Sequence, residues 1–407
     1  MNSVIVHYQE IALKGRNRPW FIKRLVENVR AVLVDLDVVR VRNLVGRIEI
    51  VLGQHADWDE VRTRLSRVFG VANFARARRV GRSMEEITVA ILSDLAGCEA
   101  RSFRVTARRA DKAYAMTSPE IERLVGGRIH SAQGWKVDLR NPELIVRIEI
   151  LPREVFYTLE RCHGSGGLPS GVSGQVLSLM SGGIDSPVAA YRLMKRGCRV
   201  RFLHFHSYPI LSHASQDKVR EIVEHLTKYQ LISHLYFVAF GEFQRQIVMS
   251  VPPPLRIVLY RRLMMRISER LATEVGAKAL VTGEAVGQVA SQTLENLAVI
   301  SNVVSELPIL RPLIGSDKNE ISDEAIAIGT YPISIIQDQD CCQLFTPRNP
   351  TTKARLRAVE MAERNLPIGQ LVTAAIENVE HEDFTFPTQS MRREDSCVSS
   401  IRVSSSR

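Results

Sequence analysis

Ser181-Gly182-Gly183-Ile184-Asp185-Ser186 decides how the second half of the chain folds. The apolar run before it, Val176-Leu177-Ser178-Leu179-Met180, reads as a buried strand. The segment after it, Pro187-Val188-Ala189-Ala190-Tyr191-Arg192-Leu193-Met194, reads as a helix with proline in its first turn. A glycine-rich turn between strand and helix lets the backbone approach an anion, and the free N–H groups at the helix start point at it. A Walker-type loop needs a lysine beside its Ser or Thr, and none stands here. The G-x-G-x-x-G spacing of dinucleotide sites is absent too. The residues fit a phosphate loop of another kind. The plainer alternative is an ordinary glycine-rich turn.

Working outward, residues 200–205, 235–239 and 279–282 are short apolar runs bounded by helical stretches. That alternation predicts a parallel sheet with helices on both faces, with ligands at the carboxyl ends of its strands. Residues 161–171 are glycine-rich and read as a linker. Before them the pattern is α+β. A first unit over 1–57 has a strand at 3–8, an amphipathic helix at 18–34 and paired strands at 38–42 and 47–52. A second unit over 58–161 has helices at 58–69, 84–95 and 118–131, and strands at 102–107, 144–150 and 155–159. The stretch 387–407 is rich in Ser and Arg, has little apolar content and is expected to be disordered.

The chain has 407 residues, 45% of them hydrophobic, enough for two or three domains with real cores. Its apolar runs are too short to span a bilayer, and its start has no basic stretch and apolar core of a signal peptide. The six cysteines (98, 162, 198, 341, 342 and 397) form no C-x-x-C, so a reducing, cytoplasmic setting is expected. Net charge is +10, and residues 1–160 hold 27 Lys and Arg against 20 Asp and Glu. Arginines crowd at 62–82 and again at 101–109. That is the footprint of a polyanion site, or else a solvated basic surface.

The loop S-G-G-x-D-S resembles that of the PP-loop ATP pyrophosphatases, which split ATP between its α and β phosphates and adenylate a substrate oxygen. Over nearly all of residues 1–386 the chain resembles the tRNA 4-thiouridine synthase (tRNA sulfurtransferase) family. Glu10-Ile11-Ala12-Leu13-Lys14-Gly15-Arg16-Asn17-Arg18 resembles the opening of its N-terminal ferredoxin-like domain. Residues 58–161 resemble its THUMP domain, an RNA-binding module. Gly166-Gly167-Leu168-Pro169, Tyr260-Arg261-Arg262-Leu263-Met264, Val281-Thr282-Gly283-Glu284, Gly287-Gln288-Val289-Ala290-Ser291-Gln292-Thr293 and Arg311-Pro312-Leu313-Ile314-Gly315 follow in the family's order. The resemblance implies an α/β and α+β multidomain fold: a ferredoxin-like domain over 1–57, THUMP over 58–161, a linker over 162–171 and a parallel-sheet PP-loop domain over 172–386.

It also implies ATP and Mg²⁺ as cofactors and tRNA as substrate, with the uridine at position 8 thiolated. The implied ATP-binding residues are Leu179, Met180, Ser181, Gly182, Gly183, Asp185, Ser186, His204, Phe205, Arg261, Gly283 and Gln292. Asp185 would organise metal and pyrophosphate, or serve only as a helix N-cap. His204 would approach the nucleotide or simply pack at a strand end. Arg261 would meet phosphate or lie on a solvated helix face. Candidate RNA contacts are Lys14, Arg16, Arg76, Arg78, Arg79, Arg108, Arg109 and Lys112.

Sulfur requires a nucleophilic thiol near the activated base. Cys341 and Cys342 lie in Asp338-Gln339-Asp340-Cys341-Cys342-Gln343-Leu344-Phe345-Thr346-Pro347, which matches the family's catalytic-cysteine segment. Alignment from Pro350-Thr351-Thr352-Lys353 favours Cys342 over Cys341; the alternative is two inert buried thiols. Many relatives carry a C-terminal rhodanese domain, for which this sequence has no room. Sulfur is then expected from a cysteine desulfurase or another persulfide donor, and a role in thiamine thiazole synthesis is weakened. A C-x-x-C for an iron–sulfur cluster is missing. Whether the protein is a homodimer stays open. The competing functions are another PP-loop ligase and a non-enzymatic tRNA-binding protein.

Overall fold

A computed structural model describes residues 2–337, 345 and 347–387. Cys341, Cys342, Cys397 and the expected tail beyond Pro387 lie outside the described residues.

The amino-terminal half is one continuous sheet. Its strands are β1 Ser3–His7, β2 Val38–Leu44, β3 Arg47–Leu52, β4 Asn73–Val80, β5 Ser102–Arg109, β6 Lys136–Val137, β7 Leu144–Ile150, β8 Val155–Thr158 and β9 Cys162–His163. They run in the order β2-β3-β1-β4-β8-β7-β5-β6, with β9 pairing β4. Strand β4 makes the sheet continuous. Its residues 73–77 pair antiparallel with β1, and residues 78–80 pair with β8. This strand was not expected from the sequence. Three arginines among its eight residues conceal it, although Phe74, Ala75 and Ala77 are buried beneath them.

Helices cover one face of the sheet: α1 Arg18–Val32 and α2 Trp58–Arg67, then α3 Met84–Leu95 and α4 Ser118–Gln133. Capping boxes start α3 (Ser83 with Glu86) and α4 (Thr117 with Glu120), and Gly134 at φ +70° ends α4. Val61 and Leu65 of α2 share a core with Val4, Leu25, Val29 and Ile48, so α2 belongs to the first unit. The second core, with Ile87, Phe103, Val125 and Val146, begins after β4. The linker is not loose. Gly166 N–H donates to Val71 O (2.8 Å), Leu168 N–H to Lys195 O (3.0 Å) and Gly171 N–H to Gly197 O (2.9 Å), which sews the two halves together.

The carboxyl-terminal half contains β10 Gln175–Leu179, β11 Arg199–His206, β12 Ile232–Ala239, β13 Leu280–Val281, β14 Ile309–Leu310 and β15 Glu380–Thr385, in the order β14-β13-β10-β11-β12-β15. All pairs are parallel except the antiparallel edge β12·β15. The helices are α5 Asp185–Lys195, α6 Ala214–Gln230, α7 Gly241–Ser250, α8 Arg256–Glu274, α9 Leu294–Ser301, α10 Lys318–Ile328, α11 Tyr331–Ser334, α12 Leu356–Glu363 and α13 Ile368–Glu377. Strand alternation splits them into two layers. Val200 and Phe202 pack with α5, α6 and α10, while Leu203 and Phe205 pack with α7, α8 and α9. Phe69 of the amino-terminal half enters the first of these cores, with ring centroids 5.3 Å from Tyr191 and 5.7 Å from Tyr229.

Candidate active site and nucleic-acid interface

The S-G-G-x-D-S loop joins the carboxyl end of β10 to α5 and is stapled by its own hydroxyls. Ser181 N–H donates to Ser186 Oγ (2.9 Å), and Gly183 N–H donates to Ser181 Oγ (3.3 Å). Gly283, just past β13, lies against the start of α5. A Cβ there would sit 2.8 Å from Ser186 N and 2.9 Å from the Asp185 carbonyl carbon. Only glycine permits that approach, which sets the loop beside the end of β13.

A cavity opens at this point, at the carboxyl ends of the parallel strands. It gathers Leu179, Met180, Ser181, Asp185, Ser186, His204, Phe205, Arg261, Gly283 and Gln292; of the expected set, Gly182 and Gly183 are not in its wall. Leu203, Met264, Met265 and Ile300 add an apolar wall that suits a flat ring, and Thr282 and Glu284 add polar groups. His204 is both packed and in the wall. It is 2% exposed, and its Nδ1–H donates to Met180 O at 2.9 Å.

Asp185 is not the helix cap; Ile184 holds that position. The Asp185 carboxylate accepts from Gln288 Nε2 and from Lys318 Nζ, each at 2.8 Å. Lys318 was missed in the sequence, where it stands only as the first helical residue within a capping box, Asp317 to Glu320. Of the two adjacent arginines, Arg261 reaches the cavity and pairs with Glu284, so it is not on a solvated face. Arg262 is locked on Glu363 in the core. Among the described residues no three His, Cys, Asp or Glu side chains gather as a metal cluster.

Cys341 and Cys342 lie outside the described residues, but both flanks are placed. Ile336 O accepts from Lys218 Nζ (2.5 Å). Thr351 O accepts from Asn296 Nδ2 (2.8 Å) and Thr352 O from Thr293 Oγ1 (2.6 Å). Asn296 Nδ2 also donates to Ala290 O, in the turn that carries Gln292. Burial pushes the Cys162 and Cys198 thiols up, away from reactivity.

The uncovered face of the amino-terminal sheet forms a basic groove lined by His7, Arg47, Arg104, Arg108, Arg147 and Arg161, with Glu122, Glu149 and Glu160 among them. Glu149 pairs with Arg47 and lies 2.8 Å from His7 Nε2. Strand β5 explains it. Phe103, Val105 and Ala107 face the core, and Arg104, Thr106 and Arg108 face the groove. Burial, together with neighbouring guanidiniums, holds the Arg47 and Arg147 side chains below the ordinary arginine range. Burial, then Arg47, Arg108 and Arg161, pushes His7 down to about 4. An anion in the groove would relieve this crowding.

Of the eight candidate RNA contacts, Arg108 lies in the groove wall. Arg109 braces the 114–116 loop through Tyr114 O and Met116 O. Arg78 pairs with Asp94 and Arg79 with Glu154. Arg76 lies over the Trp58 ring, and Lys14 lies near Glu10 and the Phe21 ring. Arg16 and Lys112 are exposed. Arg47, Arg147 and Arg161 were missed because each is a single arginine in an otherwise apolar or loop segment.

The chain matches the family model for the thiamine biosynthesis protein ThiI over residues 171–368, the ThiI ferredoxin-like domain over 3–75 and the THUMP domain over 82–160. The probable tRNA sulfurtransferase of Thermus thermophilus is 45% identical over 387 residues, covering 95% of either chain. That of Moorella thermoacetica is 42% identical, covering 93% of this chain and 96% of the relative. A 4-thiouridine synthetase, crystallised with RNA and bound ATP, superposes with a TM-score of 0.85 at 36% identity, covering 94% of this chain and all of that one. A solved Pyrococcus horikoshii protein superposes at 0.63 with 26% identity, covering 81% of this chain. Identity at this level along almost the whole length, through all three domains in order, places the protein in the tRNA sulfurtransferase (ThiI) family.

Proposed function

We infer that the protein is an ATP-dependent tRNA sulfurtransferase that converts a uridine of tRNA, at position 8, to 4-thiouridine. The observation that carries this reading is the cavity at the S-G-G-x-D-S loop, where an apolar wall and phosphate-facing groups meet. The related synthetase crystallised with RNA and ATP supports it. The chemistry follows from a poor leaving group. Uracil O4 attacks the α-phosphorus of ATP and pyrophosphate departs; a sulfur nucleophile then adds at C4, and AMP leaves with the oxygen. Backbone N–H groups of the loop and the start of α5 hold phosphate oxygens as charge shifts. Lys318 and Arg261 place positive charge near the departing pyrophosphate.

Mg²⁺ would enter with ATP. A single carboxylate with phosphate oxygens suffices to hold it, so Asp185 fits, and bound there it would offset pyrophosphate charge. The basic groove would take tRNA backbone. Sulfur would come as the outer sulfur of a persulfide that a cysteine desulfurase or another persulfide donor forms on Cys342. Once it has added at C4, the Cys341 thiolate would attack Cys342, break the S–S bond and leave sulfur on the base. A thiol reductant would reopen the Cys341–Cys342 disulfide. In that case Cys342→Ser keeps tRNA-dependent pyrophosphate release and loses desulfurase-driven thiolation. Excess sulfide, which attacks without a protein thiol, restores part of it. Full activity of Cys342→Ser, Cys341→Ser and the double variant with the desulfurase would overturn this assignment. A homodimer is a further expectation for sedimentation to test. The deciding experiment for the activity is near-ultraviolet absorption of 4-thiouridine in tRNA after incubation with ATP and donor. Pyrophosphate release without thiolation would instead point to a different PP-loop ligase.

A further inference from the structure

Glu284 is a carboxylate in the wall of a cavity that, on the reading above, receives a triphosphate. A free negative charge there would repel the ligand. Both of its oxygens are committed instead. Oε1 accepts from Arg261 Nη1 (2.6 Å), and Oε2 accepts from Arg311 Nε (2.7 Å) and Thr282 Oγ1 (2.9 Å). Arg311 is itself held, its Nη2 donating to Ser301 Oγ at 2.7 Å. Neither Arg311 nor Ser301 lines the cavity. One carboxylate between two guanidiniums leaves a net positive charge, and a carboxylate so occupied is an anchor and no general base.

The neighbouring Arg262 shows what a structural arginine does in this helix. It is 2% exposed, bidentate on Glu363 and bonded to Val299 O. Arg261 differs. Its side chain is 24% exposed and lines the cavity, and among the described residues its side-chain hydrogen bond is the one to Glu284. A guanidinium has five donors, so most remain for an anion. We propose that Glu284 is a positioning residue for the nucleotide: it holds Arg261 with its unused guanidinium edge on the cavity, and Arg311 acts through it from outside. This rests on the reading that ATP occupies the cavity.

The test uses the full chain, tRNA and ATP, with tRNA-dependent pyrophosphate release as readout. Glu284→Ala raises the KM for ATP at least tenfold and Arg311→Ala several-fold, and kcat falls as well because Arg261 lies near the departing pyrophosphate, while tRNA affinity is unchanged. Glu284→Gln, which keeps the shape and one acceptor, falls between wild type and Glu284→Ala. The Glu284→Ala/Arg311→Ala double variant is no worse than Glu284→Ala alone, because one residue acts through the other. A merely structural role would lower the melting temperature and the active fraction without moving KM. An unchanged KM in folded Glu284→Ala, or additive effects in the double variant, overturns the proposal. If Glu284→Ala does not fold, the KM values of Glu284→Gln and Arg311→Ala decide by the same criterion. A wild-type protein without tRNA-dependent pyrophosphate release would sink the functional reading instead, a result distinct from any of these.

Discussion

Replacing Asp185 with alanine removes the acceptor of two donors, Gln288 and Lys318, at the mouth of the cavity. The Asp185–Lys318 pair is partly exposed, with 21% and 50% of the two side chains accessible, so its loss costs about 1 kcal/mol of stability or less. On the function proposed above, activity would depend on the carboxylate far more, because it would lie where charge develops when pyrophosphate leaves. Asp185→Ala therefore melts near the wild-type temperature while pyrophosphate release falls at least about 100-fold. Release at the wild-type rate would remove Asp185 from the reaction. His206 makes a different kind of test. Burial, then His204, His213 and Arg220, pushes it down to about 4 from 6.5. Above pH 6.5 it is neutral in both folded and unfolded chains. As pH falls from 6.5 toward 4 the unfolded chain binds a proton that the folded one refuses, and stability is lost by about 3 kcal/mol in total. Below pH 4 that loss is complete. Unfolding by denaturant at pH 7 and pH 5 checks it: His206→Gln shrinks the difference, and an unchanged difference would show that His206 is not the group titrating.

At the scale of the element, the site depends on how closely β13 meets α5. Gly283→Ala would press a methyl onto the backbone of Asp185 and Ser186 at 2.8–2.9 Å, and backbone cannot yield as a flexible side chain does. The loop must shift by several tenths of an ångström. Such a displacement costs about tenfold or more in turnover and about 1–3 kcal/mol in stability. A crystal structure of the variant with an unmoved 181–186 loop and normal turnover would contradict this. Legibility in the sequence divides along similar lines. Strands β10 and β11 are legible because their apolar residues serve two cores, as Val176 and Leu177 do on opposite faces. Strand β4 hides because arginines alternate with its small buried residues. Strand β15, Glu-His-Glu-Asp-Phe-Thr, hides because an edge strand needs few apolar residues. The loop is legible through its own residue pattern between strand and helix, and the rest of the cavity wall through the family resemblance. Gln288 and Lys318 reach Asp185 from separate segments, and only the closed sheet brings them together.

For the molecule as a whole, the two halves are held in fixed relation and divide the labour between them. Phe69 plugs the core beside α5, and Arg196, at the carboxyl end of the same helix, forks onto Glu10 at 2.7 and 2.8 Å. The cavity at the S-G-G-x-D-S loop therefore sits on a body that also carries the basic groove. Charge counts taken along the sequence blur this division. They weigh Arg78, Arg79 and Arg109, which pair with Asp94, Glu154 and loop carbonyls, equally with Arg108 and Arg147 of the groove wall. Fold separates the two classes, and salt dependence can read the separation. Each arginine that neutralises a phosphate releases counterions, so log affinity falls with log salt by about 0.7–0.9 per contact. Arg108→Ala and Arg147→Ala should each flatten the slope of tRNA binding by about that amount and weaken binding evenly across tRNA sequences. Arg78→Ala and Arg79→Ala, which remove guanidiniums already paired with carboxylates, should leave the slope nearly unchanged. Binding measured from low to moderate salt on the full chain decides it. Equal slope changes in both pairs of variants would mean that the RNA follows the charge-rich strand β4 and that the groove is not its path.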